Sequence, residues 1–501
     1  MAEQNSQDIL NRFENLNAIG VALSAERDLD RLLEMILDGA QEITNADGGT
    51  LYTVNDQDEL EFQIVRTKSL GLKSGGVSAD PVPFKPLPLY KDGEPNLQMI
   101  AAHVAIKQET INIADAYDAE GFDFSGTKAF DEKTGYRSKS FLTLPMQNHQ
   151  GEVIGVLQLL NAIDAESGDV ISFSENDQRF AESLASQAAV AITNNRLIEE
   201  QRLMFESFIQ LIAAAIDEKS PYTGGHCNRV PELTLLLAKS ISDTKTGPLA
   251  DFTMTDDDIY ELKIAGWLHD CGKVTTPEYV VDKATKLETI YDRIRLVDTR
   301  FEILKRDIMI DALGEVLAEH TDLDTAALLQ HSSVQDKIRE LDEERDFLRR
   351  SNVGGEFMKE EDQQRVRDIA RHEFKGPTGE TEPLLSENEV YNLTIQKGTL
   401  TAEEREVINN HISVTIKMLE SLPFPKHLRR VPEYAGGHHE RMDGKGYPKG
   451  LTRDEMSVQA RVMGIADIFE ALTARDRPYK VGKNLTEAVR ILGFMKEDNH
   501  I

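Results

Sequence analysis

Gly437-His438-His439-Glu440-Arg441-Met442-Asp443-Gly444-Lys445-Gly446-Tyr447-Pro448 packs two histidines and two carboxylates into one Gly-rich loop. Imidazole nitrogen and carboxylate oxygen together suit iron, manganese, nickel or zinc, whereas a magnesium site would use fewer imidazoles. Just after the loop, residues 460–472 read as a helix with apolar Val462, Ile465, Ala466, Ile468, Phe469 and Leu472, interrupted by Asp467. A carboxylate on so apolar a helix is costly unless it is paired or bound to a metal. Before the loop, His411 lies in a helical pattern over 404–419. Further back, His269-Asp270 ends the apolar run 264–268, with Lys273 three residues on. His226 follows the turn Tyr222-Thr223-Gly224-Gly225 and opens another apolar helix. Taken singly, each of these is better read as a partly exposed helix residue, a polar loop or a capping group. Five histidines and two aspartates on elements able to converge make a different case.

The chain has 501 residues, with 56 Lys and Arg against 87 Asp and Glu, a formal charge of −31. Binding DNA by counterion release needs the opposite sign, which excludes a general nucleic-acid binder. At about 100 to 200 residues per domain, two to four domains are expected, each able to bury its own core. The only cysteines are Cys227 and Cys271, and the start Met1-Ala2-Glu3-Gln4 has neither a basic region nor an apolar signal core. A reducing cytoplasm is the expected location. The longest apolar stretches, around 185–192 and 211–216, fall short of the roughly 18 residues a spanning helix needs, so no membrane anchor is expected.

Towards the N-terminus, residues 29–37 carry an amphipathic helical pattern, and 49–54 and 60–65 are strand-like. Two further β-rich runs, 140–146 and 152–161, flank the turn signal Gln147-Asn148-His149-Gln150-Gly151. These predict an α+β domain with an antiparallel sheet. Residues 174–216 contain no Pro or Gly, and apolar residues recur every seven positions at Leu184, Ala191, Ile198, Phe205 and Ile212. One helix of about 60 Å follows from 1.5 Å per residue. Its neighbouring seam carries Gln187, Asn194 and Gln201 before Phe208, which suits a homodimeric signalling coil of modest strength. Between 282 and 396 the helical patterns 287–319 and 334–374 predict an inserted helical hairpin with no chemistry of its own.

Asp131-Glu132-Lys133-Thr134-Gly135-Tyr136-Arg137, Leu144-Pro145 and Gly155-Val156-Leu157-Gln158-Leu159-Leu160-Asn161 resemble a GAF sensory domain of the cyclic-nucleotide phosphodiesterase type. Asn161-Ala162 and Asp177-Gln178 depart from the Asn-Lys and Asp-Glu usual there, so the small ligand of this domain is left open. The second half resembles the HD-GYP family. The match runs through His226, His269-Asp270 with Lys273, Lys397-Gly398-Thr399-Leu400, His411, Gly446-Tyr447-Pro448, then Asp467 with Arg477-Pro478-Tyr479-Lys480.

That resemblance implies an all-α HD-superfamily phosphohydrolase that hydrolyses cyclic di-GMP to linear pGpG or GMP. It implies two transition-metal ions, iron first, with manganese, nickel or zinc as alternatives. One metal would take His226, His269 and Asp467, the other His411, His438 and His439, with Asp270 bridging. Lys273 would contact a phosphate oxygen or the leaving oxygen, Arg477 and Lys480 would clamp phosphates, and Tyr447 would face the substrate. Glu470 stands where many members have Asp, a change expected to alter purine contacts. Glu440 and Asp443 are expected to organise the loop. Tyr222 stands where some members place a Glu for a third metal, which favours two. The expected organisation is a helical segment over 1–24, a GAF domain over 25–173, a signalling helix over 174–216 and an HD-GYP domain over 217–501 with an insertion over about 283–396. A catalytically weak cyclic-dinucleotide receptor, or an enzyme for another cyclic dinucleotide, is the alternative.

Overall fold

Alternating inward and outward residues, broken by Asn- and Gly-centred turns, give the first half its strands. The computed structural model describes residues 2–78, 80–219, 225–318, 331–354, 357–474 and 482–501. It divides into two units, Met1–Met204 and Phe205–Ile501. In the first, strands Ala46–Val54 (β1), Glu59–Thr67 (β2), Leu72–Gly75 (β3), Ile111–Ile113 (β4), Phe141–Gln147 (β5) and Val153–Ile163 (β6) form an antiparallel sheet in the order β3-β2-β1-β6-β5-β4. The β5–β6 hairpin turns as expected at Gly151, whose φ of 79° suits glycine, while the Asn148 side chain accepts the N–H groups of Gln150 and Glu152.

Register decides which face is core. Leu157 of β6 lies opposite Leu51 on one side and Leu144 on the other, and all three face Leu33, Ile36 and Leu37 of the Leu29–Ile43 helix. The opposite face, with Tyr52 and Val156, is covered by the Ile100–Lys107 helix. The N-terminal helix Ala2–Ala25 adds Leu16 and Leu23 to the first core, and Arg12 pairs with Asp177 at 2.6 Å. This helix is thus packed into the first unit.

The long helix is present as Glu175–Glu218. Its seven-residue stripe is not one seam, however. Leu184, Ala185 and Ala188 belong to the core of the first unit, and Ile209 and Ile216 to that of the second. The middle stays open, where Ile198 is 64% exposed beside Leu197, Leu203, Met204 and Phe208, and further on Leu211 and Ile212 are exposed as well. The second unit gathers the helices His226–Asp243, Asp256–Leu268, His411–Glu420, Val431–Gly436 and Val458–Thr473 around Leu262, Trp267, Tyr434 and Met463.

The expected insertion has a core of its own, with Phe301, Leu348, Val366, Leu384 and Leu393. It is more than a hairpin. Helices Ile294–Ala318, Ser332–Asn352, Glu360–Ile369 and Glu387–Leu393 accompany a two-stranded ribbon, Glu373–Lys375 with Thr381–Pro383. The pattern over 334–374 breaks because Gly354 adopts a φ of 74° and Gly379 turns the ribbon at 83°. At its root the fully buried Lys283 ammonium donates to Glu404 at 2.7 Å and Asn392 at 2.9 Å. Nearby, Lys286 donates to the carbonyls of Leu393 and Ile395, and burial pushes its pKa down to about 8. Removing one member of a buried pair strands the other. Lys283→Met is expected to destabilise the second unit by about 2 to 4 kcal/mol, read as a fall in its thermal unfolding temperature.

Candidate metal centre

Four chain segments bring the histidines together. His226 opens its helix, His269 closes the Asp256–Leu268 helix and leads into Asp270, and a 3-10 turn over Cys271–Thr275 carries Lys273. His411 starts the next helix, His438 and His439 follow Val431–Gly436, and Asp467 sits within Val458–Thr473. Two glycines permit the approach: a Cβ on Gly272 would lie 1.9 Å from the His411 carbonyl, and one on Gly464 would lie 2.7 Å from that of His438.

All seven expected ligands converge. His226 Nε2 lies 3.2 Å from Asp270 Oδ2 and 3.3 Å from Asp467 Oδ1, and His269 Nε2 lies 3.3 Å from Asp270 Oδ2. On the other side of Asp270, His411 Nε2 lies 3.2 Å from Oδ1. Donor atoms of His226, His269 and Asp467 fall within 4.8 Å of one another, as do those of His411, His438 and His439. A third set, His269, Asp270 and His438, joins the two.

The tautomers follow from the partners. His269 Nδ1 faces the Gly266 carbonyl at 2.6 Å, His438 Nδ1 that of Ala435 at 2.6 Å, and His411 Nδ1 that of Ile408. A carbonyl only accepts, so Nδ1 must donate and the Nε2 lone pair points inward. Asp270 Oδ1, His411 Nε2 and His438 Nε2 are buried without a hydrogen bond. Such orphans cost stability unless something else satisfies them, and three lone pairs aimed at one place fit a cation.

Charge agrees. Burial, then the neighbouring His439 and His269, hold His438 well below the usual imidazole range, and burial lowers His439 to about 4. Burial works against ionising Asp467, yet His226 and His438 pull it down to about 2; the Lys273 ammonium likewise keeps Asp270 ionised. His226 is pushed up to about 9, against its burial, by its bonds to Asp270 and Glu470. Two carboxylates held ionised beside imidazoles such as His438 and His439, which are held neutral, form a donor set for a divalent cation.

Around the ligands, Lys273 Nζ lies 2.5 Å from Asp270 Oδ2. The Tyr447 ring stacks on His439 with centroids 4.9 Å apart, and burial pushes its hydroxyl up to about 12. Glu440 accepts the N–H groups of Lys449 and Leu451, and Asp443 takes that of Lys445 and the Arg441 guanidinium, so both hold the loop's shape.

Glu470 is 2% exposed; its Oε2 accepts from His226 Nδ1 at 2.6 Å and its Oε1 from Arg229 Nε at 2.8 Å, so it braces a candidate ligand. Arg229 was missed; only its i, i+3 spacing from His226 hinted at a shared face. Arg477, Lys480 and Tyr222 lie outside the described residues.

A GAF domain model matches residues 28–192 and an HD domain model matches 387–501. A cyclic di-GMP phosphodiesterase of Thermotoga maritima is 39% identical over 98 residues, covering 20% of this chain and 26% of the relative. A 3'3'-cGAMP-specific phosphodiesterase 3 of Vibrio cholerae is 38% identical over 112 residues, covering 22% and 23%. The chain thus spans about a quarter of the length of these curated relatives. Among solved structures, the GAF domain of a Coxiella burnetii phosphoenolpyruvate-protein phosphotransferase is 20% identical, covering 38% of this chain and 98% of that one, with a TM-score of 0.30.

The protein is therefore a multidomain one, with an α+β GAF domain followed by a helical HD region. Its resemblance to the HD-GYP phosphodiesterases stands, and the HD domain implies divalent-metal binding. Asp270→Ala is expected to lose more bound metal than Lys273→Ala, because the first removes a donor shared by both triads. Glu470→Gln should weaken metal binding by about 10- to 100-fold through His226. Metal analysis of anaerobically purified variants checks both, and equal metal content in the two position-270 and position-273 variants would sink the assignment of Asp270.

Proposed function

We propose that the protein is a metal-dependent phosphodiesterase that hydrolyses cyclic di-GMP under control of its GAF domain. The observation that carries this reading is the convergence of seven His and Asp ligands, three with orphaned buried donor atoms, beside the ammonium of Lys273. Bound there, two transition-metal ions, iron first and manganese, nickel or zinc otherwise, supply Lewis acidity for hydrolysis at neutral pH.

The chain's own residues do the rest. Asp270 is placed between the His226–His269–Asp467 triad and the His411–His438–His439 triad. Lys273 holds a non-bridging phosphate oxygen or supports the leaving 3′-oxygen as water adds to phosphorus and the P–O3′ bond breaks. The product is linear pGpG, and a second hydrolysis gives GMP. Tyr447 supplies a ring for the substrate, while Arg477 and Lys480 clamp its phosphates. With a net charge of −31, capture of a dianion depends on such focused cations.

Signals from a small GAF ligand would pass through a homodimer formed on the open middle of the Glu175–Glu218 helix. Leu197, Ile198, Leu203, Met204 and Phe208 form its exposed apolar surface. A second reading has support of its own, since one relative is named for 3'3'-cGAMP.

Metal-loaded protein should convert cyclic di-GMP to pGpG or GMP on chromatography, with a higher kcat/KM than 3'3'-cGAMP, and His269→Ala should abolish turnover. Binding without product would make the domain a receptor. Light scattering should give a dimer that Ile198→Asp with Phe205→Asp dissociates; a monomeric wild type would remove the coil from the scheme.

A further inference from the structure

The last turn of the long helix reaches two parts of the metal centre at once. Asp217 is 8% exposed, and its Oδ2 accepts the N–H groups of Gly225 at 3.0 Å and Cys227 at 3.2 Å, the residues on either side of His226. The His226–Asp243 helix has no side-chain cap from its own N-cap, Gly225, so the carboxylate of a distant turn takes that place. A negative charge there also suits the helix N-terminus. Two residues on, Lys219 Nζ donates to the carbonyls of Lys273 at 3.1 Å and Val274 at 2.5 Å. It thereby holds the 3-10 turn that carries Lys273 and follows Asp270.

We propose that Asp217 and Lys219 are positioning residues, the first setting the backbone of His226 and the second that of Lys273. The end of the long helix, the His226 ligand and the Lys273 ammonium are then one mechanical unit. Displacing that helix by a single residue step, about 1.5 Å, would move both. A misplacement of about 1 Å costs on the order of a hundredfold in rate where geometry is set this closely. The inference rests on the metal-centre reading above, and its first test uses no substrate.

The test titrates full-length, metal-free protein with Co2+ under anaerobic conditions, following the visible absorption that reports ligand geometry. Asp217→Ala is expected to weaken Co2+ binding by about tenfold or more and to alter that absorption. Asp217→Asn keeps an acceptor oxygen and should recover most of the affinity. Lys219→Met should leave Co2+ affinity within about twofold yet lower kcat for bis(p-nitrophenyl) phosphate about tenfold at similar KM, and Lys219→Arg should restore it. Lys263→Met serves as the control, since it breaks another tie to the long helix, the 3.1 Å pair with Glu206, without touching the backbone at His226 or Lys273. Wild-type Co2+ binding in Asp217→Ala, or the same losses in Lys263→Met, would overturn the proposal. Were the wild type to bind Co2+ but cleave no phosphodiester, that failure would fall on the proposed activity, and the Asp217 arm would still decide.

Discussion

The metal centre of the second unit is arranged around a carboxylate that has been taken out of water. Asp270 is 2% exposed, and its ionised form survives only because Lys273, His226, His269 and His411 surround it within 3.3 Å. An isolated buried carboxylate would take up a proton instead. Those four partners come from three separate chain segments, which pack through the core that holds Leu262, Trp267, Tyr434 and Met463. The hydrophobic core and the polar centre are thus mutually dependent. The core positions the histidines, and the centre keeps its charges paired inside it.

Much of this was legible in the residues. His269-Asp270 at the end of an apolar run, Asp467 on an apolar helix and the Gly-rich loop after His438 and His439 each announce a polar group where burial is expected. Strands and the long helix were legible too, because period-two alternation and an unbroken apolar stripe are local signals. What escaped was non-local. Nothing near Glu470 shows that it would bond to His226, 244 residues earlier. The pattern over 334–374 hides its break, because a helical period continues past Gly354 as though that residue were ordinary.

The apolar stripe over 184–212 does not meet one surface. Leu184 is consumed by the sheet's core, whereas Ile198, Phe205 and Ile212 stay exposed, and the helical core takes Ile209 and Ile216, which lie off the stripe. Sequence alone sees a single seam, since a heptad repeat records that a face is apolar and not what covers it.

The way the imidazoles are oriented bears on how the centre assembles. His269, His411 and His438 each donate to the carbonyl three residues back, so their orientation comes with the formation of a local turn and costs no loop closure. His226, by contrast, is oriented by Glu470, a group far away in the chain. The rings of His269, His411 and His438 are therefore oriented by local turns, whereas the ring of His226 is oriented only once the Val458–Thr473 helix has docked. Sequence separation between an imidazole and the group that orients it is thus distributed unevenly across a site only a few ångströms wide.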